Sequence, residues 1–185
     1  MLNRMSDHRL AQLNIAALKA PLDDPALADF VALLDPINAL AEASPGFVWR
    51  YVDENGADAT AARPFGDDLI VNFSLWADRD SLWNFTYRSG HLDLLRRRRE
   101  WFTRMAAAHQ VMWWVPAGRI PTIEEAGERL ALLRANGPSP EAFTFTDSYP
   151  PPSAPPTTAE TGTPETATRA GAGLTPPRPA SPSSS

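Results

Sequence analysis

The sequence predicts an α+β fold, a split βαβ pattern with a four-stranded antiparallel sheet and one extra C-terminal helix. Three observations carry that expectation. Strand-like and helix-like segments alternate in the order strand, helix, strand, strand, helix, strand, helix, which is the ferredoxin-like order. All six Trp lie between Trp49 and Trp114, so the large side chains that dominate packing sit mid-chain. From Ser148 the chain changes to Pro, Ser, Thr, Ala and Gly, a composition that buries too little apolar surface to offset the entropy of ordering.

The elements follow from period and punctuation. Leu13 and Ile15 alternate with Gln12 and Asn14 in Leu10–Ala16, which predicts the first strand. Asp23, Asp24 and Pro25 then supply caps and a first-turn proline, and Leu27, Phe30, Val31, Leu34, Ile37 and Leu40 recur at helical spacing until Ser44-Pro45-Gly46. Phe47–Val52 is aromatic and β-branched, a second strand, and residues 53 to 66 form a long hairpin connection to a third strand over Asp68–Trp76. The second helical region covers about residues 78 to 107, with Gly90 predicting a break near Ser89-Gly90. Gln110–Val115 is the fourth strand, stopped by Pro116 and Gly118, and Thr122 with Glu125 forms a capping box for a last helix ending near Asn136-Gly137.

Residues 1–9 are therefore read as a flexible N-terminus, 10–147 as the folded domain and 148–185 as a disordered tail, with a proline-rich ligand for an SH3-like module as the tail's alternative role. Met5, just ahead of the first strand, is as plausible a translation start as Met1. Strands three and four are apolar on both faces, through Ile70, Trp76 and Val111–Val115, while two helices cover only one face. A second copy of the sheet is the simplest cover for the other face, giving a homodimer. Cover by the chain's own third helix is the alternative.

Composition excludes several chemistries. There is no Cys, hence no disulfide, thiolate metal site or cysteine nucleophile. His8, His91 and His109 are far apart, so no metal site is expected. A net charge of -5 argues against nucleic acid as a partner. No apolar run is long enough to span a bilayer, and no membrane partner is expected; the expected location is the cytoplasm.

On a continuous helix, Tyr87, His91, Leu94, Arg98, Trp101 and Met105 would fall on one stripe, and a stripe mixing imidazole, phenol, guanidinium and indole is suited to a pocket wall. His91 has three open roles: a structural histidine bonded to a carbonyl or to Asp93, a proton acceptor, or a haem ligand. Arg98 is suited to hold a substrate anion, or else forms an ion pair within the fold. The run Arg96–Arg99 points in several directions, which leaves Arg96, Arg97 and Arg99 on solvated faces. Trp113 and Trp114 face opposite sides of their strand, each either filling a core or walling a ligand. Asn14 and Asn72 are polar residues on apolar strands, and Asn14 is the preferred pocket candidate, with a bond to a strand end as its alternative.

Leu10–Ala16, Ser44–Arg50, Tyr87–His91, Arg96–Phe102, Trp113–Gly118 and Gly137–Phe143 together resemble a bacterial family known only as a domain of unknown function. That family is similar to the dimeric α/β-barrel superfamily, whose members include antibiotic-biosynthesis and haem-degrading monooxygenases. The resemblance implies a pocket inside each subunit between sheet and helices. It would place Asn14, Trp49, Tyr87, His91, Arg98 and Trp101 near one cavity; with Trp113 from strand alternation, the residue pattern then makes Asn14, Trp49, Tyr87, Trp101 and Trp113 the expected substrate-binding residues and His91 and Arg98 the expected catalytic ones. The implied function is a small-molecule site, either a cofactor-independent monooxygenase or isomerase for an aromatic or polyketide-like substrate, or a non-catalytic ligand-binding or haem-binding dimer.

Overall fold

A computed structural model of the chain describes residues 7–52 and 62–153. Its elements are β1 (His8–Leu18), a 3-10 turn (Pro25–Leu27), α1 (Ala28–Glu42), β2 (Phe47–Arg50), β3 (Leu69–Trp76), α2 (Arg79–Arg88), α3 (His91–Trp101), β4 (Phe102–Thr103), β5 (Gln110–Pro116) and α4 (Ile123–Asn136). β1 is central and antiparallel to all its neighbours: β3 with β2 beyond it on one side, β5 and the two-residue β4 on the other. The expected order of elements is present, with β4 as a fifth strand.

Local chemistry sets the boundaries. The Asp24 carboxylate accepts the Ala26 N–H at 2.8 Å and opens the turn into α1, while the Thr122 hydroxyl accepts the Glu125 N–H at 3.2 Å and opens α4. Gly46 ends the connection after α1 with φ 81°, and a Cβ there would sit 2.1 Å from Ser81 Oγ, so both conformation and space demand glycine. The helical region breaks at Ser89, whose backbone is extended (φ −114°, ψ −176°). It ends at Trp101, short of the expected 107, because Phe102 and Thr103 leave the helix to pair with Leu18 and Ala17.

Two other expectations are corrected. β1 begins at His8, paired with Pro116, so the N-terminal extension is shorter than residues 1–9; residues 1–6 lie outside the described residues. The ordered chain also continues past 147. Phe143 exchanges backbone hydrogen bonds with Met112 at 2.8 and 2.9 Å, and the Trp114 indole donates to the Tyr149 carbonyl at 2.8 Å. The expected tail from residue 154 onward, and residues 53–61 of the hairpin connection, lie outside the described residues.

On the second sheet face, the alternative cover by the chain's own helix is present. Ala11, Leu13, Ile15, Val71, Phe73, Val111 and Trp113 are all buried there against Ala126, Leu130 and Leu133 of α4. The chain's own last helix covers the surface for which a second sheet was expected, because α4 presents small and branched side chains that seat closely on the strands. Glu125 pins its start. This carboxylate, with a side chain only 12% exposed, accepts the Trp113 indole N–H at 3.0 Å and pairs with Arg119, and Arg129 lies 3.8 Å away. Glu125→Ala leaves a buried indole N–H unpartnered and is expected to cost about 1–3 kcal/mol, read by urea unfolding.

Candidate functional site

The opposite face, turned toward α1, α2 and α3, carries two separate apolar clusters. One groups Leu10, Trp76, Leu82, Met112 and Phe143 with Phe85 and Trp114 at its edge. The other groups Leu27, Phe30 and Trp101 with Leu18, Ile70 and Leu94. α1 contributes to both, through Ala41 and Phe30. α3 also runs from one to the other: the His91 ring lies 4.8 Å from that of Phe85, and Leu94 and Trp101 belong to the second cluster.

Between the clusters the sheet is polar. Cross-strand partners share a face, so the register places Ser74, Gln12 and Met112 in one row and Asn72, Asn14 and Gln110 in the next. The first row is satisfied internally: the Trp76 indole donates to Ser74 Oγ at 2.9 Å, and Ser74 Oγ donates to the Gln12 amide oxygen at 3.0 Å. The second row is different. Asn72 is exposed although its strand is flanked on one side by β1, and Asn14 and Gln110 are half-buried. Among the described residues none of these three carboxamides bonds another side chain, and none of their polar atoms is sealed from solvent; Arg79 Nε is the one sealed and unpartnered atom.

His91 is half-buried at the start of α3, and its Nδ1 lies 3.3 Å from the Thr86 carbonyl. A carbonyl accepts only, so Nδ1 carries the proton and Nε2 the lone pair. No described residue bonds Nε2, and the atom is not fully sealed. Burial lowers the His91 pKa below 6.5, outweighing the opposing pull of the Thr86 carbonyl, and the ring is neutral at pH 7. The carbonyl bond is the one expected of a structural histidine, while Asp93 pairs instead with Arg96.

The other expected site residues do not converge on His91. Ser89 turns the chain, so Tyr87 ends on the outer side of α2, 37% exposed, packed on Trp83 and Phe145. Arg98 is exposed and donates to the Leu95 carbonyl at 2.9 Å. Trp101 is 1% exposed, packed on Phe30 with the Arg97 guanidinium 4.7 Å from its ring. Arg97 also binds Glu100 and Asp29, bonds that raise its pKa further. Trp49 and Trp113 both pack on Phe73, in the cluster beneath α4, across the sheet from Asn14 and His91. Trp114 takes the other face, as alternation requires.

Sequence reasoning missed Gln110 and underrated Asn72. Their signal is register: both pair with Asn14, a relation invisible until the strands are aligned. Two cavities lie elsewhere, one of about 430 Å³ against Arg79, Trp114 and Tyr149, the other of about 370 Å³ against Lys19, Pro21 and Arg63. Among the described residues no three His, Asp or Glu side chains converge on a metal position, and His91 Nε2 is the atom a haem iron would take.

Residues 9–159 match the family model described as a domain of unknown function (DUF3291), in keeping with the resemblance carried by the motifs. No curated protein matches the chain. Similar solved structures include a protein of unknown function, NE2512 from Nitrosomonas europaea, at 20% identity over 63% of this chain and 97% of that one, with a TM-score of 0.40. SnoaB, a cofactor-independent oxygenase from Streptomyces nogalater, is 18% identical over 62% of this chain and 97% of its own, with a TM-score of 0.40. PA3566 from Pseudomonas aeruginosa is 15% identical over 64% and 100%, with a TM-score of 0.39.

Proposed function

The chain belongs to the family of this domain of unknown function (DUF3291), and we propose that it is a cytoplasmic small-molecule-binding protein whose His91 acts as a proton acceptor. The observation that supports this reading is the state of the imidazole: Nδ1 is committed to the Thr86 carbonyl, and the ring is neutral with Nε2 unpartnered among the described residues. A base held in that tautomer at neutral pH needs no further activation to take a proton from an acidic C–H or phenolic O–H. The C–H bond breaks, an Nε2–H bond forms, and the electron pair stays on the substrate as an enolate.

Return of the proton to a different carbon makes an isomerase. Attack of the carbanion on dioxygen, forming a C–O bond and a hydroperoxide, makes a cofactor-independent oxygenase. The sheet face and His91 come from one chain, so the site is complete without a second copy; a homodimer is a separate expectation, read by sedimentation.

The test is oxygen uptake and spectral change on a panel of phenols and enolisable ketones. Turnover in the wild type is expected to fall by about 10²-fold or more in His91→Ala, with the far-ultraviolet circular dichroism retained. No turnover on the panel, or turnover indifferent to His91, refutes the base. A Soret band on haem titration that disappears in His91→Ala reassigns the same nitrogen to iron.

The pH dependence has a definite sign. Because the folded pKa lies below 6.5, the acid limb of the rate profile is expected below pH 6.5, where Nε2 becomes protonated. The same group stabilises the fold fully above 6.5, and that contribution is lost as pH falls through the folded pKa. His91→Gln is expected to flatten this part of the stability profile, measured by thermal melting across the window.

A further inference from the structure

We infer that Ser89 is a positioning residue for His91, an assignment that rests on His91 being the proton acceptor. The Ser89 hydroxyl ties the last turn of α2 to the first residue of α3 and thereby keeps the imidazole proton on Nδ1, which leaves Nε2 as the basic nitrogen.

The extended backbone at Ser89 (φ −114°, ψ −176°) ends α2, and the carbonyls of a helix's last turn then need partners from outside its own ladder. Two side chains supply them. Ser89 Oγ donates to the Phe85 carbonyl, and His91 Nδ1 donates to the Thr86 carbonyl across 3.3 Å. The same Ser89 Oγ accepts the His91 backbone N–H at 3.2 Å, while the Ser89 carbonyl accepts the Leu92 N–H at 3.1 Å. A hydroxyl can donate once and still accept, so this one oxygen is bonded to both sides of the break. It fixes the backbone of His91 beside the carbonyl that the ring must reach.

The α2 side of this contact is rigid. Phe85, whose ring centroid lies 4.8 Å from that of His91 at a 39° tilt, is stacked in turn on Trp76 at 5.1 Å, and the Trp76 indole is bonded to Ser74. Thr86 is buried, and its hydroxyl is spent on the Leu82 carbonyl at 2.7 Å. The adjustable part is the Ser89-Gly90 link. Gly90 does not shape it: φ there is −58°, and a Cβ would meet Leu40 Cδ2 at 3.5 Å, an ordinary contact. Without the hydroxyl, the His91 N–H and the Phe85 carbonyl lose the atom that joins them, and the bond from Nδ1, already long for its type, loses its support. The ring is then free to carry its proton on Nε2, where that nitrogen donates and can no longer accept.

Long-range proton–nitrogen correlation NMR of the full chain with isotope-labelled histidine, at mildly alkaline pH, reads the tautomer of each neutral ring, and His91→Gln identifies the signals of residue 91. The wild-type ring is expected to carry its proton on Nδ1. In Ser89→Ala the Nε2–H form is expected to become the major one, and Ser89→Thr, which keeps the hydroxyl, to return the wild-type pattern. Gly90→Ala alters the link but spares the hydroxyl, so it is expected to match the wild type. Should Ser89→Ala fail to fold, Ser89→Cys carries the same expectation, because a thiol is a weak donor and acceptor. A ring that stays Nδ1–H when the hydroxyl is gone overturns the inference, as does a shift in Ser89→Thr or Gly90→Ala as large as in Ser89→Ala; both results leave the proton-acceptor reading standing. A wild-type ring protonated on Nε2 overturns the two together. Turnover indifferent to His91, with the tautomer still following Ser89, removes the proton-acceptor reading and leaves Ser89 as the residue that sets the ring.

Discussion

Leu130→Asp is expected to leave the chain unfolded at 25 °C. Leu130 is 2% exposed, between Ala126 and Leu133 on the face of α4 that lies against Leu13, Phe73, Val111 and Trp113. Removing the side chain costs about 2–5 kcal/mol through lost transfer energy and the cavity left behind. A carboxylate in its place has no partner in that apolar layer and adds a further penalty of several kcal/mol unless it takes up a proton. Against a typical total stability of about 5–15 kcal/mol, the sum removes most or all of the fold.

Thermal melting by circular dichroism reads the result, and Ala131→Asp is the control. Ala131 is the next residue on the same helix and is exposed, so its change is expected to cost only helix propensity, about 0.7 kcal/mol. A Leu130→Asp protein as stable as wild type would mean that α4 does not hold this face. A second copy of the sheet would then again be the best candidate to cover it.

Trp101→Ala is the second large effect, about 3–5 kcal/mol of lost stability. The indole is 1% exposed, with its ring centroid 5.5 Å from Phe30 and 6.5 Å from Phe102, and it carries the Arg97 guanidinium on its face. Its loss opens a cavity between α1 and α3 that a neighbour cannot fill without leaving its rotamer. Urea unfolding separates this from a direct ligand role. A packing residue lowers the midpoint strongly, whereas a residue kept only for a ligand leaves it close to that of the wild type.

The two variants probe opposite faces of one sheet, and the contrast shows what a linear pattern conceals. Capping signals were readable because they are local: Asp24, Gly46, Thr122 and Gly137 each act on backbone groups within a few residues. The break at Ser89-Gly90 was readable for the same reason. Its consequence was not. A stripe drawn on one unbroken helix unites Tyr87 with His91 and Trp101, but one extended residue at Ser89 turns Tyr87 outward and starts a new helix at His91.

Trp49 and Trp113 illustrate the same limit. Alternation says that neighbours on a strand take opposite faces, and Trp113 and Trp114 do so. It does not say which face looks at α3 and which at α4. That choice depends on where the last helix docks, which is decided by packing between residues more than a hundred positions apart, such as Leu13 with Leu130. Nor can period alone put Asn72 and Gln110 beside Asn14, since register comes from the pairing of whole strands.

The amino-acid sequence by itself determined the order of elements, their caps and breaks, the α+β class and the family, because these depend on short-range backbone preference and hydrophobic period. Only the tertiary structure decided that α4 covers the second sheet face, that the indoles of Trp101 and Trp113 belong to cores, and that three unpaired carboxamides stand abreast. Those outcomes depend on which distant surfaces bury each other, and burial is a property of the assembled chain rather than of any one segment.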